Sequence, residues 1–139
     1  MSADAAEAAD FLERASGVAR LAMAMGKKCE AVYSRFPYPL PNDHHGLIVS
    51  LENVQEALKQ VSADLKPPPA GTEHVANELI KIAGISRDWK RQFDDGRGEW
   101  PDASFFLPGD YKIFVASGVS IRVAIEAARS AIGVDEQSP

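Results

Sequence analysis

The chain is short of the residues from which most recognisable chemistry is built. It has one cysteine, Cys29, so no internal disulfide can form, and a reducing compartment is the expectation. It has 3 histidines, and none stands in a Glu-x-x-His or His-Glu-x-x-His pattern. There is no Cys-x-x-Cys, no Gly-x-Ser-x-Gly and no glycine-rich loop of the kind that cradles phosphates beside a helix. Lys and Arg total 15 against 20 Asp and Glu, a net charge of −5. That balance argues against a sequence-independent grip on nucleic acid, which depends on clustered cations.

Long apolar runs are missing as well. The longest, Ile113 to Ile121, is interrupted by serine and glycine and followed by Arg122. It falls short of the roughly 20 residues that cross a bilayer, so no membrane partner is expected. Met1 to Asp10 is acidic and alanine-rich, without the basic start and apolar centre of a signal peptide. The expected location is cytoplasmic.

What remains is a chain of 139 residues, 45% hydrophobic and 25% charged, the size of a single domain with a core of its own. Its clearest pattern comes first. Ala8, Phe11, Ala15, Val18, Ala22, Met25, Cys29, Val32 and Phe36 follow one another at steps of three and four, the spacing of an apolar seam on a long helix. One row of the seam is bulky (Phe11, Val18, Met25, Val32) and the other small (Ala8, Ala15, Ala22, Cys29). A small row lets a second helix approach to roughly 8 Å rather than 10 Å. Cys29, lying on that row, reads as a buried hydrophobe rather than a reactive thiol. Acids at the front of this stretch and Lys27, Lys28 and Arg35 at its end suit the helix macrodipole, and a helix over 3–35 is predicted. Gly17 and Gly26 are the places in it for a bend or a close backbone approach.

Alternating prolines from Phe36 to Pro41 forbid helix and sheet ladder, so 36–49 is predicted to be a proline-rich arm and a turn. Ser50 then offers an N-cap, with Val49 and Val54 placed as a hydrophobic staple, for a second helix over 50–65. Pro67, Pro68 and Pro69 end it. Thr72 can cap a third helix over 72–95, whose seam is Val75, Leu79, Ile82, Ser86, Trp89 and Phe93. Gly84 to Ser86 offers a break within it. The segment from Gly96 to Asp110 is too long and too aromatic for a plain loop. It leads into either a β-hairpin over 104–116 or a fourth helix over 110–133 with Asp110 at its start. The seam Phe114, Gly118, Ile121, Ile125, Ala128 and Ile132 favours the helix, and Gly133 suits its C-terminal cap.

The predicted fold is therefore an all-α four-helix bundle in one domain, 1–139, with α+β and a small hairpin as the alternative. Helix 1, near 45 Å long, outreaches helices 2 and 3, so part of its seam is expected to protrude and meet another chain. Gly118 and Ala128 make helix 4 the partner small enough to sit close to it.

The expected function is that of a small helical protein acting by protein–protein binding, as an adaptor, inhibitor, immunity-type protein or regulatory subunit. Self-association as a homodimer through Ala8, Ala15, Ala22 and Met25 is expected with it. No cofactor and no catalytic set is expected. The alternative is a small-molecule or metal-dependent enzyme with a pocket under the 97–109 loop, drawing polar groups from Asp43, His44, His45 or His74, the last with Glu78 one turn on. Arg87, Lys90 and Arg91, interleaved with Trp89 and Phe93, read as a solvated helix face rather than a nucleic-acid patch. Arg122, Glu126 and Arg129 read as surface pairs along helix 4.

Overall fold

The computed structural model describes residues 3–35, 42–95 and 110–133. Four helices account for nearly all of them: α1 (Ala3–Tyr33), α2 (Asp43–Val61), α3 (Glu73–Asp95) and α4 (Lys112–Ile132), with a short 3-10 turn, Ser62–Leu65, extending α2. They form an all-α four-helix bundle with no strand among the described residues. The stretch that was the second half of the alternative hairpin is the first turn of α4.

Cross-contacts fix the directions. Lys28 lies beside Gly46 and Arg14 beside Asp64, so α2 runs against α1. Gly26 lies beside Val115 and Glu13 beside Arg129, so α4 also runs against α1. Going round the bundle the order is α1, α2, α3, α4, with α1 and α3 meeting only across the diagonal.

The helix pair with the most extensive contact is α1 with α4. The small row of α1 explains it. Ala15, Ala19 and Ala22 are fully buried, and Gly118 presents bare backbone to Ala19 and Met23. A Cβ on Gly118 would stand 2.8 Å from the Ala19 carbonyl oxygen and would overlap the Met23 side chain. Gly26 is a second close approach, since a Cβ there would stand 3.0 Å from the Val115 nitrogen. Gly17, by contrast, faces open space.

Aromatic groups close the other side of α4. Phe114 meets Trp89 edge-on with centroids 4.8 Å apart, and Trp89 meets Phe93 at 5.9 Å, also edge-on. Such perpendicular pairs satisfy the ring quadrupoles while burying large surfaces.

Several boundaries differ from the sequence expectation. α2 begins at Asp43 rather than near Leu51, so Ser50 is mid-helix and Val49 lies 40% exposed instead of stapling a cap. Leu47 continues the Leu51, Val54, Leu58 and Val61 seam backwards and is fully buried. Asp43 anchors the new start: it is 3% exposed, and its carboxylate receives both Nε and Nη2 of Arg35, at 3.2 and 2.5 Å. Gly46 is there for proximity, since a Cβ would come 2.9 Å from the Lys28 side chain. α3 passes through Gly84 to Ser86 unbroken, because its seam keeps phase across them. Thr72 precedes α3, but its hydroxyl donates to the Pro69 carbonyl at 2.6 Å. Asp110 caps α4 from just outside, accepting the Lys112 N–H at 3.0 Å. Gly133 ends α4 in the left-handed region at φ 77°, as its type allows. The proline-rich arm at 36–41 and the aromatic segment at 96–109 lie outside the described residues.

The seam of α1 is covered along its length, from Ala8 at 2% exposure to Val32 at 0%. Among the described residues the expected protrusion is not there, and Phe36, the last residue of the predicted seam, lies outside them.

Candidate interaction surfaces

Ala8, Ala15, Ala22 and Met25 are all buried in the core of their own chain, the last three completely. Their small size serves the approach of α4 within the chain. A second copy of the protein would have to meet α1 elsewhere, or open the bundle to reach them.

The candidate metal set is scattered. Asp43 points inward to Arg35. His45 is exposed in the first turn of α2 and His74 is exposed in the first turn of α3. Those two starts lie at opposite ends of α2, roughly 28 Å apart at the helical rise. No group of three metal-ligating side chains forms among the described residues. Glu78, the proposed partner of His74, faces Lys81 at 3.4 Å. Cys29 is fully buried, and burial pushes its thiol up to about 12, so it is chemically quiet at neutral pH.

The free cations carry more information. Arg14, Arg35, Lys81, Lys90, Arg91 and Arg129 each stand in an ion pair. Arg91 meets Asp88 and Lys90 meets Asp94, which removes the basic patch once conceivable around Trp89. Arg129 reaches across to Glu13 on α1, tying α4 to it. Of the cations left without an acidic partner among the described residues, six line two grooves, and Lys28 and Lys112 lie outside both.

The first groove, of about 560 Å³, lies between α2 and α3. Leu58, Leu65 and Ile80 give it an apolar lining, and Lys59, Lys66 and Arg87 stand around it. Ile80 is 49% exposed, a large apolar side chain left to water. No acidic side chain among the described residues lines this groove. Lys59 sits in the last turn of α2, where the helix dipole accounts for a cation, but the dipole does not account for Arg87 in mid-helix.

The second groove, of about 490 Å³, lies between α1 and α4. Arg20, Lys27 and Arg122 line it with Ser16, Met23 and Ala24. Since α1–α4 and α2–α3 are opposite neighbours in the ring of helices, the two grooves occupy opposite sides of the bundle. No described helix is long and apolar enough to cross a membrane.

These grooves were not visible in the sequence. Arg20 and Lys27 recur at a seven-residue spacing, as do Lys59 and Lys66, and that is the one signal the chain offered. Their convergence with Arg122 and Arg87 depends on which helices become neighbours. Comparison of the chain with models of protein families, with curated proteins and with solved structures finds no match.

Proposed function

We propose that this protein acts by binding another protein, and that the α2–α3 groove receives an acidic, amphipathic segment of that partner. One observation carries the reading: an apolar floor open to water, bordered by three cations without an acidic partner among the described residues, on a chain of net charge −5. A uniformly acidic surface would repel such a segment, whereas Lys59, Lys66 and Arg87 reverse the field locally and set its orientation. Leu58, Leu65 and Ile80 supply the apolar contact from which most affinity comes. An adaptor, an inhibitor, an immunity-type protein or a regulatory subunit would all work in this way.

The test places a photo-crosslinking amino acid at Ile80 and irradiates the protein in extract of its native source. A discrete protein adduct that disappears when Lys59→Glu and Arg87→Glu are combined supports the reading. No adduct, or adducts indifferent to the charge reversal, refutes it.

A further inference from the structure

We infer that the α1–α4 groove is a second binding site, separate from the protein-docking groove, and that it takes a compact ligand bearing several adjacent phosphates. Arg20 and Lys27 are two turns apart on one face of α1, roughly 10 Å along its axis. Arg122 enters from α4 between them, its Nη1 4.0 Å from the Met23 sulfur. The side chain is seated there by packing: Met23 lies over the bare backbone of Gly118, one turn before Arg122. Three cations therefore line one short groove, with the Ser16 hydroxyl a turn before Arg20.

None of the three is neutralised among the described residues. Glu126, one turn beyond Arg122, and Glu30, near Lys27, form no ion pair with them, while Glu13 is engaged by Arg129. Like charges held together without a counter-ion repel one another, and an anion placed between them removes that repulsion while gaining charge-assisted hydrogen bonds. Two guanidinium groups and one ammonium suit phosphate oxygens, the guanidinium by paired donors and the ammonium as a point charge.

The size and kind of ligand follow from the surroundings. Among the described residues lining it, Met23 and Ala24 alone are apolar, less than the apolar lining proposed to receive a peptide in the opposite groove. A long polyanion such as nucleic acid would run past the groove onto a surface whose overall balance is −5. A short, densely charged group gains the local attraction without that repulsion.

Isothermal titration with sodium tripolyphosphate and, in parallel, with a nucleoside triphosphate tests this, at near-physiological salt. The expected result is one site per chain for the tripolyphosphate, weakened about tenfold in Arg122→Ala and again in Lys27→Ala, each removing one charged hydrogen-bond donor. Arg87→Ala, in the other groove, should bind as the wild type does. All three side chains are exposed, and circular dichroism of each variant confirms that the bundle is intact. Tighter binding of the nucleoside triphosphate identifies a nucleotide as the source of the phosphates, and equal binding identifies the phosphate chain alone. Absence of binding at about 1 mM, equal weakening in Arg87→Ala, or stronger binding of an oligonucleotide would overturn the assignment.

Discussion

Glycine to alanine at two positions should have opposite effects, and the structure says which is which. In an exposed helix interior this change stabilises by about 1 kcal/mol, because alanine has less backbone freedom to lose. Gly17 meets that condition: nothing lies within 4 Å of a Cβ built on it. Gly17→Ala should therefore raise stability by about 1 kcal/mol. Gly118 carries the same intrinsic gain, but its Cβ would stand 2.8 Å from the Ala19 carbonyl oxygen and would overlap Met23. Met23 can change rotamer, whereas the carbonyl belongs to the α1 backbone and yields only if the two helices part. Overpacking of this kind costs about 1–3 kcal/mol, and the backbone contact places it toward the upper end. Subtracting the propensity gain leaves Gly118→Ala destabilised by about 1–2 kcal/mol, a fall in Tm of roughly 3–8 °C for a chain of this length. Urea denaturation of both variants, with an unchanged m-value, is the measurement. If Gly118→Ala proved as stable as Gly17→Ala, the close packing of α1 on α4 would be refuted, and with it the account of why the small row exists.

Ala22→Glu, on the buried face of α1, should unfold the protein rather than dissociate an oligomer, since an uncompensated buried charge costs several kcal/mol. Circular dichroism beside light scattering checks it, and a folded variant of reduced mass would restore α1 as an interface. Cys29 links stability to alkaline pH. Its folded pKa, raised by burial from 9.0 to about 12, means the unfolded chain releases the thiol proton first. The contribution is thus complete below pH 9 and is lost as pH rises toward 12, at about 1.4 kcal/mol per unit. Urea midpoints across that window should fall more steeply for the wild type than for Cys29→Ala, and parallel profiles would disprove the linkage. Ser86 is fully buried in α3, and its hydroxyl has no hydrogen-bond partner among the described residues. Ser86→Ala should stabilise by up to about 1 kcal/mol, by removing an unsatisfied group and improving helix propensity. A loss measured by thermal denaturation would show that the hydroxyl has a partner after all.

What could be read from the chain, and what could not, divides along the range of the interaction. The seams of α1, α3 and α4 are local periodicities, and each seam residue from Ala8 to Val32 is buried as its spacing requires. The pairing of α1 with α4 was also legible, because a small row and Gly118 leave few other ways to bring two backbones close. The start of α2 at Asp43, against the expected Leu51, has a physical reason. Asn42 to Gly46 has the composition of a turn, but Asp43 is held by Arg35, just past the end of α1, and Gly46 is pressed against Lys28. Tertiary contacts therefore made helix out of turn residues. The same contrast governs the surface. Arg122 has Glu126 and Arg129 at pairing distance in sequence, and a reader confined to α4 concludes that they stitch to one another. In the bundle Arg129 reaches Glu13 on α1, and Arg122 leans over Met23 toward Arg20 and Lys27. Among the described residues Glu13 is the acid in contact across that helix boundary, and it sits three residues before Ser16, at one end of the groove. The α1–α4 boundary is thus stitched by charge at one end and left with like charge in the middle. A boundary selected for stability alone would place an acid opposite Arg20 or Lys27, since each such pair adds a few tenths of a kcal/mol without altering the core. Among the described residues none is present, and this is the physical ground on which we propose the groove as a place for a ligand.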